Sequence, residues 1–231
     1  MSRVIFITGT DTGCGKTLLT ALLLAHLRGT GKRALAMKPV ACGGDEDARL
    51  LSAVQGGVLS AELLNPYRFE QPVTPWLAAR QEGRRLTLAG LCRRVNLVKD
   101  HAEFLLVEGC GGLLAPLGAG LSAREIIVEL QCDVIVASRN RLGTLNHTIL
   151  TVETLASAGV KKPVVVLMGA GEKDRSCPSN ALVLRELLPR IRIVEIPYLG
   201  PRAGRLGAVL RGAKECAKNL KKTLALLEGD R

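Results

Sequence analysis

The chain has 231 residues, a formal net charge of +11, and a composition that is 47% hydrophobic but only 3% aromatic. This length can bury a full core and is long for one α/β domain but short for two, so we predict that residues 1–231 form a single domain. No apolar run approaches membrane-spanning length, and the sequence enters its first strand pattern without a signal-peptide pattern. We therefore expect no membrane association and a cytoplasmic location.

The net charge and the cysteine content narrow the class of protein further. Basic residues are scattered, and their short clusters lack interleaved aromatic residues, so we expect solvated helix faces on a protein that handles anionic ligands and no nucleic-acid partner. The seven cysteines contain no CxxC pair. They are predicted to be reduced thiols, and a zinc site is not expected.

The first predicted elements are a buried strand over residues 4–7, a glycine-rich turn over 9–17, and a buried helix over 18–27 that ends at Gly29. A strand, a glycine-rich turn and a helix start are typical of the phosphate-binding loop of P-loop nucleotide enzymes, whose backbone N–H groups point at phosphate oxygens. Lys16 would reach the β- and γ-phosphates, and the Thr17 hydroxyl would bind magnesium. The motif is offset, because Thr10 stands where its first glycine is expected.

A second candidate cation follows the predicted strand over residues 33–37. In an open parallel sheet the carboxyl ends of the strands line the ligand crevice, so Lys38 is expected at the same edge as the phosphate loop. The acidic residues 45–47 then open a helical pattern that continues to residue 54. They are either partners of the helix N-terminus or, beside a lysine at a phosphate site, magnesium ligands, and the sequence leaves both interpretations open.

The next strong feature is the apolar strand over residues 104–107, which ends in Glu108, Gly109, Cys110, Gly111 and Gly112. It is preceded by an irregular proline-rich stretch over 65–75 and a helical pattern over 86–98. An acidic residue at the end of a buried strand is typical of the second magnesium-side carboxylate of P-loop enzymes. The glycines would let the backbone approach phosphate or substrate closely.

The remaining pattern continues the alternation of strands and helices. Strands are predicted over 133–137, 163–168 and 192–196, with helices over 145–158 and 213–227. In the last helix Ala217, Leu220, Leu224 and Leu227 form an apolar face opposite lysines. The whole pattern predicts an α/β, single-domain, P-loop NTPase-like three-layer fold with a mostly parallel central sheet.

These motifs together resemble those of dethiobiotin synthetases, strongly over residues 1–112, fairly over 131–152 and weakly elsewhere. The motifs that carry the resemblance are the loop 9–17, Lys38-Pro39-Val40-Ala41, Asn65-Pro66-Tyr67 with Phe69, Pro72 and Pro75, Glu82-Gly83, Val107-Glu108-Gly109 with Gly111-Gly112, and Asn146-His147. The resemblance implies a C–N bond-forming cyclo-ligase of biotin biosynthesis. Such an enzyme uses ATP, Mg²⁺ and CO2 to close a cyclic urea on 7,8-diaminononanoate through a carbamate and a carbamic-phosphoric anhydride.

The resemblance also implies roles for residues of this chain. Lys16, Lys38 and Thr12 are the expected catalytic residues, and Mg²⁺ is expected on Thr17, Asp47 and Glu108. The nucleotide is expected at Gly13, Cys14, Gly15, Lys16, Thr17, Leu18, Asp47, Glu108, Gly109, Cys110, Gly111, Gly169, Ala170, Pro197, Tyr198 and Leu199. The diamine is expected at Thr12, Lys38 and Cys42 and, in a homodimer, at Gly143, Thr144, Leu145 and Asn146 of the partner subunit.

Three positions depart from the family pattern. Cys42 stands where a substrate-contacting serine is usual, and Trp76 follows Pro75 where a small or imidazole-bearing residue is usual. Gly169 and Ala170 end a strand where many relatives have an asparagine that reads the adenine edge. The loss of a donor and an acceptor predicts relaxed base choice, with CTP or another triphosphate competing with ATP.

Two other classes share the expected fold. A DNA-partitioning or septum-positioning ATPase is favoured by the basic charge but needs a second lysine near the start of its phosphate loop, where this chain has Thr10, Asp11 and Thr12. A cobyrinate-type synthetase carries a glutaminase domain, which this chain is not expected to hold. The resemblance to dethiobiotin synthetases is therefore the preferred interpretation.

Overall fold

A computed structural model describes residues 2–160, 162–171 and 174–228. Its strands are β1 (Arg3–Gly9), β2 (Ala34–Met37), β3 (Val40–Cys42), β4 (Tyr67–Phe69), β5 (Phe104–Glu108), β6 (Asp133–Asn140), β7 (Val164–Gly169) and β8 (Arg192–Ile196). Its helices are α1 (Lys16–Gly29), α2 (Glu46–Val54), α3 (Ala61–Leu64), α4 (Pro75–Gln81), α5 (Leu88–Lys99), α6 (Ala123–Leu130), α7 (Thr144–Ser157), α8 (Cys177–Leu187), α9 (Leu206–Glu215) and α10 (Ala217–Glu228).

Six strands form a central sheet in the order β2-β5-β1-β6-β7-β8, and every pairing in it is parallel. Consecutive residues of β1, β6 and β7 are buried, so both faces of the sheet are covered. Helix α1 packs with α2 and α9, while α5 packs with α6. The predicted three-layer α/β fold is confirmed.

The strand order decides where the candidate residues lie. Strand β5 lies between β1 and β2, with Glu108 opposite Ile7 and Val107 opposite Met37. Because all three strands run in the same direction, the phosphate loop, Lys38 and Glu108 leave the sheet at the same edge.

Two predictions of local structure were wrong. The stretch 65–75, predicted to be irregular, contributes β4 to a second sheet with β3, a parallel pairing that local sequence does not reveal. The single tail helix is two helices divided at Cys216, since α9 packs on α1 while α10 contacts β7 and β8. The predicted apolar face of the tail is nevertheless confirmed, because Leu220, Leu224 and Leu227 are buried.

Among the described residues, none of the helices combines the length and the apolar composition that crossing a bilayer requires.

Candidate nucleotide and substrate site

The phosphate loop follows β1 and leads into α1 through glycines in left-handed conformations. Gly13 and Gly15 have φ values of 71° and 97°, which side-chain-bearing residues rarely adopt. A Cβ on Gly9 would lie 2.4 Å from Cys14 Sγ, whereas Thr10 does not have a positive φ and donates its N–H to the carbonyl of Ala137. The close approach is therefore made at Gly9, one residue before the usual place, and the offset motif still forms a tight, glycine-lined loop.

Lys16 begins α1 and its side chain lies back along the loop. It is 6% exposed, and Nζ donates to the carbonyl oxygen of Asp11 over 2.9 Å. The Cys14 thiol lies 3.8 Å from the same ammonium group. The ammonium is thus already inside the loop that is expected to surround the phosphates.

Lys38 and Glu108 form the centre of a buried ionic cluster. The Lys38 ammonium donates to Glu108 Oε1 over 2.7 Å and also to Asp47 Oδ2. Thr17 donates its hydroxyl to the same oxygen of Glu108 over 2.7 Å. Four residues from the carboxyl ends of two strands and the first turns of two helices therefore meet at one point.

Contacts within the cluster shift the pKa values of Lys38 and Asp47. Burial lowers the pKa of Lys38, but the attraction of Glu108 and Asp47 outweighs it, so the net pKa is raised. Burial raises the pKa of Asp47, but Lys38, Thr17 and Lys16 together bring it below its usual value. Both groups therefore stay charged near neutral pH.

The acidic residues at the start of α2 have different partners. Asp45 pairs with Arg49 and Arg68, and its side chain does not cap the helix. Asp47 instead points to Lys38. Asp47 therefore joins the ionic cluster, whereas Asp45 forms ion pairs with two arginines rather than a helix cap.

The cluster also fits a magnesium ion. Glu108 is fully buried, and its Oε2 atom has no hydrogen-bond partner. A buried carboxylate oxygen without a partner is costly unless a cation or donor meets it. Carboxylate and hydroxyl oxygens are the ligands that Mg²⁺ prefers, and it commonly binds to one or two carboxylates together with substrate phosphates. Within the described residues there is no group of three or more His, Cys, Asp or Glu side chains that could hold a metal ion.

A cleft of about 800 Å³ opens over this cluster. The predicted site residues that line it are Thr12, Gly13, Gly15, Lys16, Thr17, Leu18, Lys38, Cys42, Asp47, Glu108, Cys110 and Gly111. Two predicted residues lie beneath it instead: Cys14 is buried under the loop, and Gly109 packs against Phe6, where a Cβ would come within 3.1 Å of the ring. These two support the walls of the cleft rather than face it.

Sequence reasoning missed part of the cleft wall. Glu46, residues 72–74, Ala115 and Pro116 also line it. The prolines were noticed only as breaks in regular structure, and nothing in the local sequence places residues 72–75 opposite 115–116. Trp76 follows them but is turned away, lining a separate cavity of about 540 Å³ with Arg80 and Arg85.

The five residues expected near the base lie farther along the sheet, at the carboxyl ends of β7 and β8, and do not line the cleft: Gly169, Ala170, Pro197, Tyr198 and Leu199. A Cβ on Gly15 would lie 3.0 Å from Met168 Cγ, so the end of β7 adjoins the phosphate loop. A Cβ on Gly169 would lie only 2.3 Å from the backbone nitrogen of Tyr198. The backbone leaving β8 occupies the space that an asparagine side chain would need.

The start of α7 lies on the other side of the phosphate loop, so the structure does not bring Gly143, Thr144, Leu145 or Asn146 into the cleft of the same chain. Thr144 is buried, and its hydroxyl is 2.7 Å from that of Ser138, to which Thr10 donates over 3.4 Å. These hydroxyl contacts fix the helix start to the phosphate loop.

The fold and the loop geometry define a P-loop nucleotide-binding protein. A family model described as an AAA domain matches residues 3–202. An ATP-dependent dethiobiotin synthetase from Anaeromyxobacter dehalogenans (strain 2CP-C) is 38% identical over 216 residues, covering 90% of this chain and 97% of the relative. The enzyme of that name from Bacillus subtilis (strain 168) is 31% identical over 204 residues, covering 86% of each chain. The chain belongs to the ATP-dependent dethiobiotin synthetase family.

Solved structures agree on the fold. The MinC:MinD cell division complex of Aquifex aeolicus gives a TM-score of 0.65 at 15% identity, covering 100% of this chain and 97% of that chain. Septum site-determining MinD with Mg-ADP from Pyrococcus horikoshii OT3 gives 0.60 at 19% identity, covering 99% and 94%. At these identities the likeness concerns the fold alone.

Proposed function

We propose that this chain, as one domain over residues 1–231, is an ATP-dependent dethiobiotin synthetase that closes a cyclic urea from 7,8-diaminononanoate and CO2. Family membership supports the reaction. The observation that carries the site assignment is the meeting of Lys38, Glu108 and Thr17 beside the Lys16 loop. Together with Asp47, these residues come from distant parts of the chain and bring two ammonium groups and two carboxylates to one cleft.

The reaction brings two anions together, because a carbamate formed on one amine must attack the γ-phosphate. Lys16, fixed in the loop, would contact the phosphates, and Lys38 would lie between the carbamate and the γ-phosphate. Cations that are positioned before the reaction stabilise the developing charge without reorganisation, an effect worth several kcal/mol in a site that excludes water. Thr12, on the rim of the cleft, would orient the diamine.

Thr17, Asp47 and Glu108 would hold Mg²⁺. Bound there with the nucleotide, the ion would offset negative charge on the phosphates. The second amine then attacks the mixed anhydride and phosphate leaves, so the protein needs no covalent intermediate. Its contribution is positioning and charge stabilisation.

For the nucleotide we propose ATP with relaxed base selection, so that CTP or another triphosphate also serves. Position 169 carries no side chain, and the backbone at residues 197–198 fills the adjacent space. Base discrimination by a side-chain amide at this position is therefore impossible in this chain without moving that backbone.

We further propose a homodimer in which the start of α7 completes the partner's site. A helix N-terminus suits the carboxylate of the substrate tail, and α7 begins outside its own cleft. Two exposed leucines lie near this helix start: Leu142, which precedes α7, is 78% exposed, and Leu150, within α7, is 54% exposed. A shared site explains both the position of the helix start and the apolar surface around it.

Turnover of 7,8-diaminononanoate with bicarbonate, Mg²⁺ and ATP, followed by mass detection of the cyclic urea, tests the function. Lys38→Ala should abolish product formation, whereas Lys32→Ala, which removes an exposed lysine at the other end of β2, should leave it unchanged. ATP hydrolysis that requires DNA and proceeds without the diamine would instead support the partitioning-type alternative.

Subunit mixing tests the shared site separately. Lys38→Ala damages the cleft, and Asn146→Asp places a repelling charge at the helix start. In a mixed dimer, one site combines an intact cleft with an intact helix, so an equal mixture should recover about a quarter of wild-type activity. No recovery from a mixture that does form mixed dimers would show that each chain uses its own α7.

A further inference from the structure

A second cavity lies beside the cleft, and the proposed function gives it no role. Its volume is about 540 Å³, which suits a small molecule, and none of its lining residues lines the cleft. One wall is a face of α4, another is the stretch that leads into α5, and the third is the turn 117–121. The Pro116 carbonyl accepts hydrogen bonds from the Thr74 hydroxyl and the Trp76 N–H, so α4 is tied to this turn.

The cavity has an excess of positive charge. Three guanidinium groups line it, those of Arg80, Arg84 and Arg85. Glu125 is the only acidic residue among its described lining residues, and its carboxylate already accepts hydrogen bonds from Ser122 and Arg124 over 2.7 Å. Within the part of the chain that the structure describes, neither Arg80 nor Arg85 forms an ion pair or a side-chain hydrogen bond. Two cations therefore face the cavity without an acidic partner.

The third cation, Arg84, is held in place by its neighbours. Its guanidinium lies 4.7 Å from the centre of the Phe69 ring, and Nη1 donates to the carbonyl oxygen of Arg68 over 2.8 Å. A carboxylate oxygen of Glu82 lies 3.5 Å from the same nitrogen. A guanidinium group is planar, and its fork of donors can meet two oxygens of a phosphate or a carboxylate at once. The ordered Arg84 would lose little conformational freedom on meeting such a ligand.

The cavity also presents an aromatic surface. Trp76, the only tryptophan of the chain, lines it and is 41% exposed. It lies four residues before Arg80 on α4, a spacing that places both side chains on the same face of the helix. An indole packs well against another planar ring, and tryptophan and arginine are the side chains that most often dominate binding energy.

We propose that this cavity is a second ligand site, which binds a small molecule in which a phosphate group is attached to a planar ring. The guanidinium groups would meet the phosphate oxygens, and the indole of Trp76 would cover the ring. Three cations suit a phosphate monoester, which carries a charge of about −1.5 to −2 near neutral pH, better than a single carboxylate.

The single tryptophan makes binding directly observable. Titration of the full-length protein with phenyl phosphate should give a saturable change in Trp76 fluorescence, and inorganic phosphate should compete at concentrations about tenfold higher because it lacks the ring. The phosphate loop is a second candidate for anions, so the titration is repeated with Lys16→Ala, in which the change should persist. Loss of the change in Lys16→Ala would place the ligand in the cleft and overturn the proposal. No turnover is measured, so the result does not depend on the proposed function.

Paired arginine variants test the phosphate contacts. Arg80→Gln combined with Arg85→Gln should weaken the binding of phenyl phosphate about tenfold or more, because charged hydrogen-bond donors are lost. Arg93→Gln combined with Arg94→Gln is the matched control, since these arginines are also exposed, lie on α5 outside the cavity, and remove the same net charge. Equal weakening in both double variants would reveal a general charge effect and overturn the proposal, as would the absence of a saturable change in the wild type.

Trp76→Leu separates the contribution of the ring from that of the phosphate. Isothermal titration replaces fluorescence, and both proteins carry Lys16→Ala to remove binding at the phosphate loop. Phenyl phosphate should bind about tenfold more weakly without the indole, whereas the affinity for inorganic phosphate should stay the same. An unchanged affinity for phenyl phosphate would overturn the assignment of a ring-bearing ligand.

Discussion

Lys38 donates through Nζ to Oε1 of Glu108 over 2.7 Å, although the two residues are 70 positions apart in the chain. The lysine follows β2 and the glutamate ends β5, and these strands are neighbours in the sheet. Side-chain exposures of 6% and 0% make this a buried pair. We therefore expect its members to matter for stability as well as for the proposed chemistry.

Lys38→Ala is expected to abolish turnover and to lower the free energy of unfolding by about 3 to 5 kcal/mol, because it leaves Glu108 buried without its counter-charge. Urea unfolding without ligands measures the loss. Adding Glu108→Gln removes the uncompensated charge, so the double variant should regain stability while remaining inactive. A single variant as stable as the wild type would contradict the role of the pair.

Asp47→Asn should raise the Mg²⁺ concentration needed for half-maximal activity by roughly ten- to a hundredfold, since it removes one anionic ligand. Glu46→Gln is the matched control, because Glu46 precedes it on α2 and lines the same cleft but is not bonded to Lys38. Magnesium titrations of the two variants make the comparison. Equal shifts would mean that general cleft charge, rather than coordination, sets the metal requirement.

The ratio of kcat/KM for ATP to that for CTP should be close to one, because no side chain at position 169 can read the base. Gly169→Asn should not create ATP preference. The new side chain would collide with the backbone at 197–198 and lower stability by about 1 to 3 kcal/mol. A strong ATP preference in the wild-type protein would refute relaxed base choice.

Leu150→Asp should weaken dimerisation at least tenfold, or by about 1.4 kcal/mol, because a charge would be buried at the proposed interface. Leu182→Asp alters a leucine on α8 that is 58% exposed, close to the 54% of Leu150, and should not change the association. Light scattering after size-exclusion chromatography measures the association of both variants. A wild-type protein that is monomeric at working concentration would exclude the shared site.

Several features could be predicted because they depend on neighbouring residues. The phosphate loop lies within nine consecutive positions, and its glycines and Lys16 give the conformation and the charge. Lys38 and Glu108 follow buried strands, and the ends of parallel strands meet at one edge. The direct contact between Lys38 and Glu108 could not be predicted, because it depends on the strand order β2-β5-β1.

The errors have the same origin. The pairing of β3 with β4 joins segments 27 residues apart, as in Val40 and Tyr67, and the division of the tail at Cys216 depends on which surfaces α9 and α10 cover. Local propensity is weaker than such packing. The missing side chain at position 169 was visible in the sequence, but the backbone that fills its place was not.

The sequence by itself determined the fold class, the phosphate loop and the charged groups available at the sheet edge, since periodicity and turn chemistry are local properties. The tertiary structure decided that Glu108 bridges Lys38 and Thr17 and that the start of α7 lies away from its own cleft. These contacts follow from strand order and burial, which arise only when the whole chain packs around one sheet.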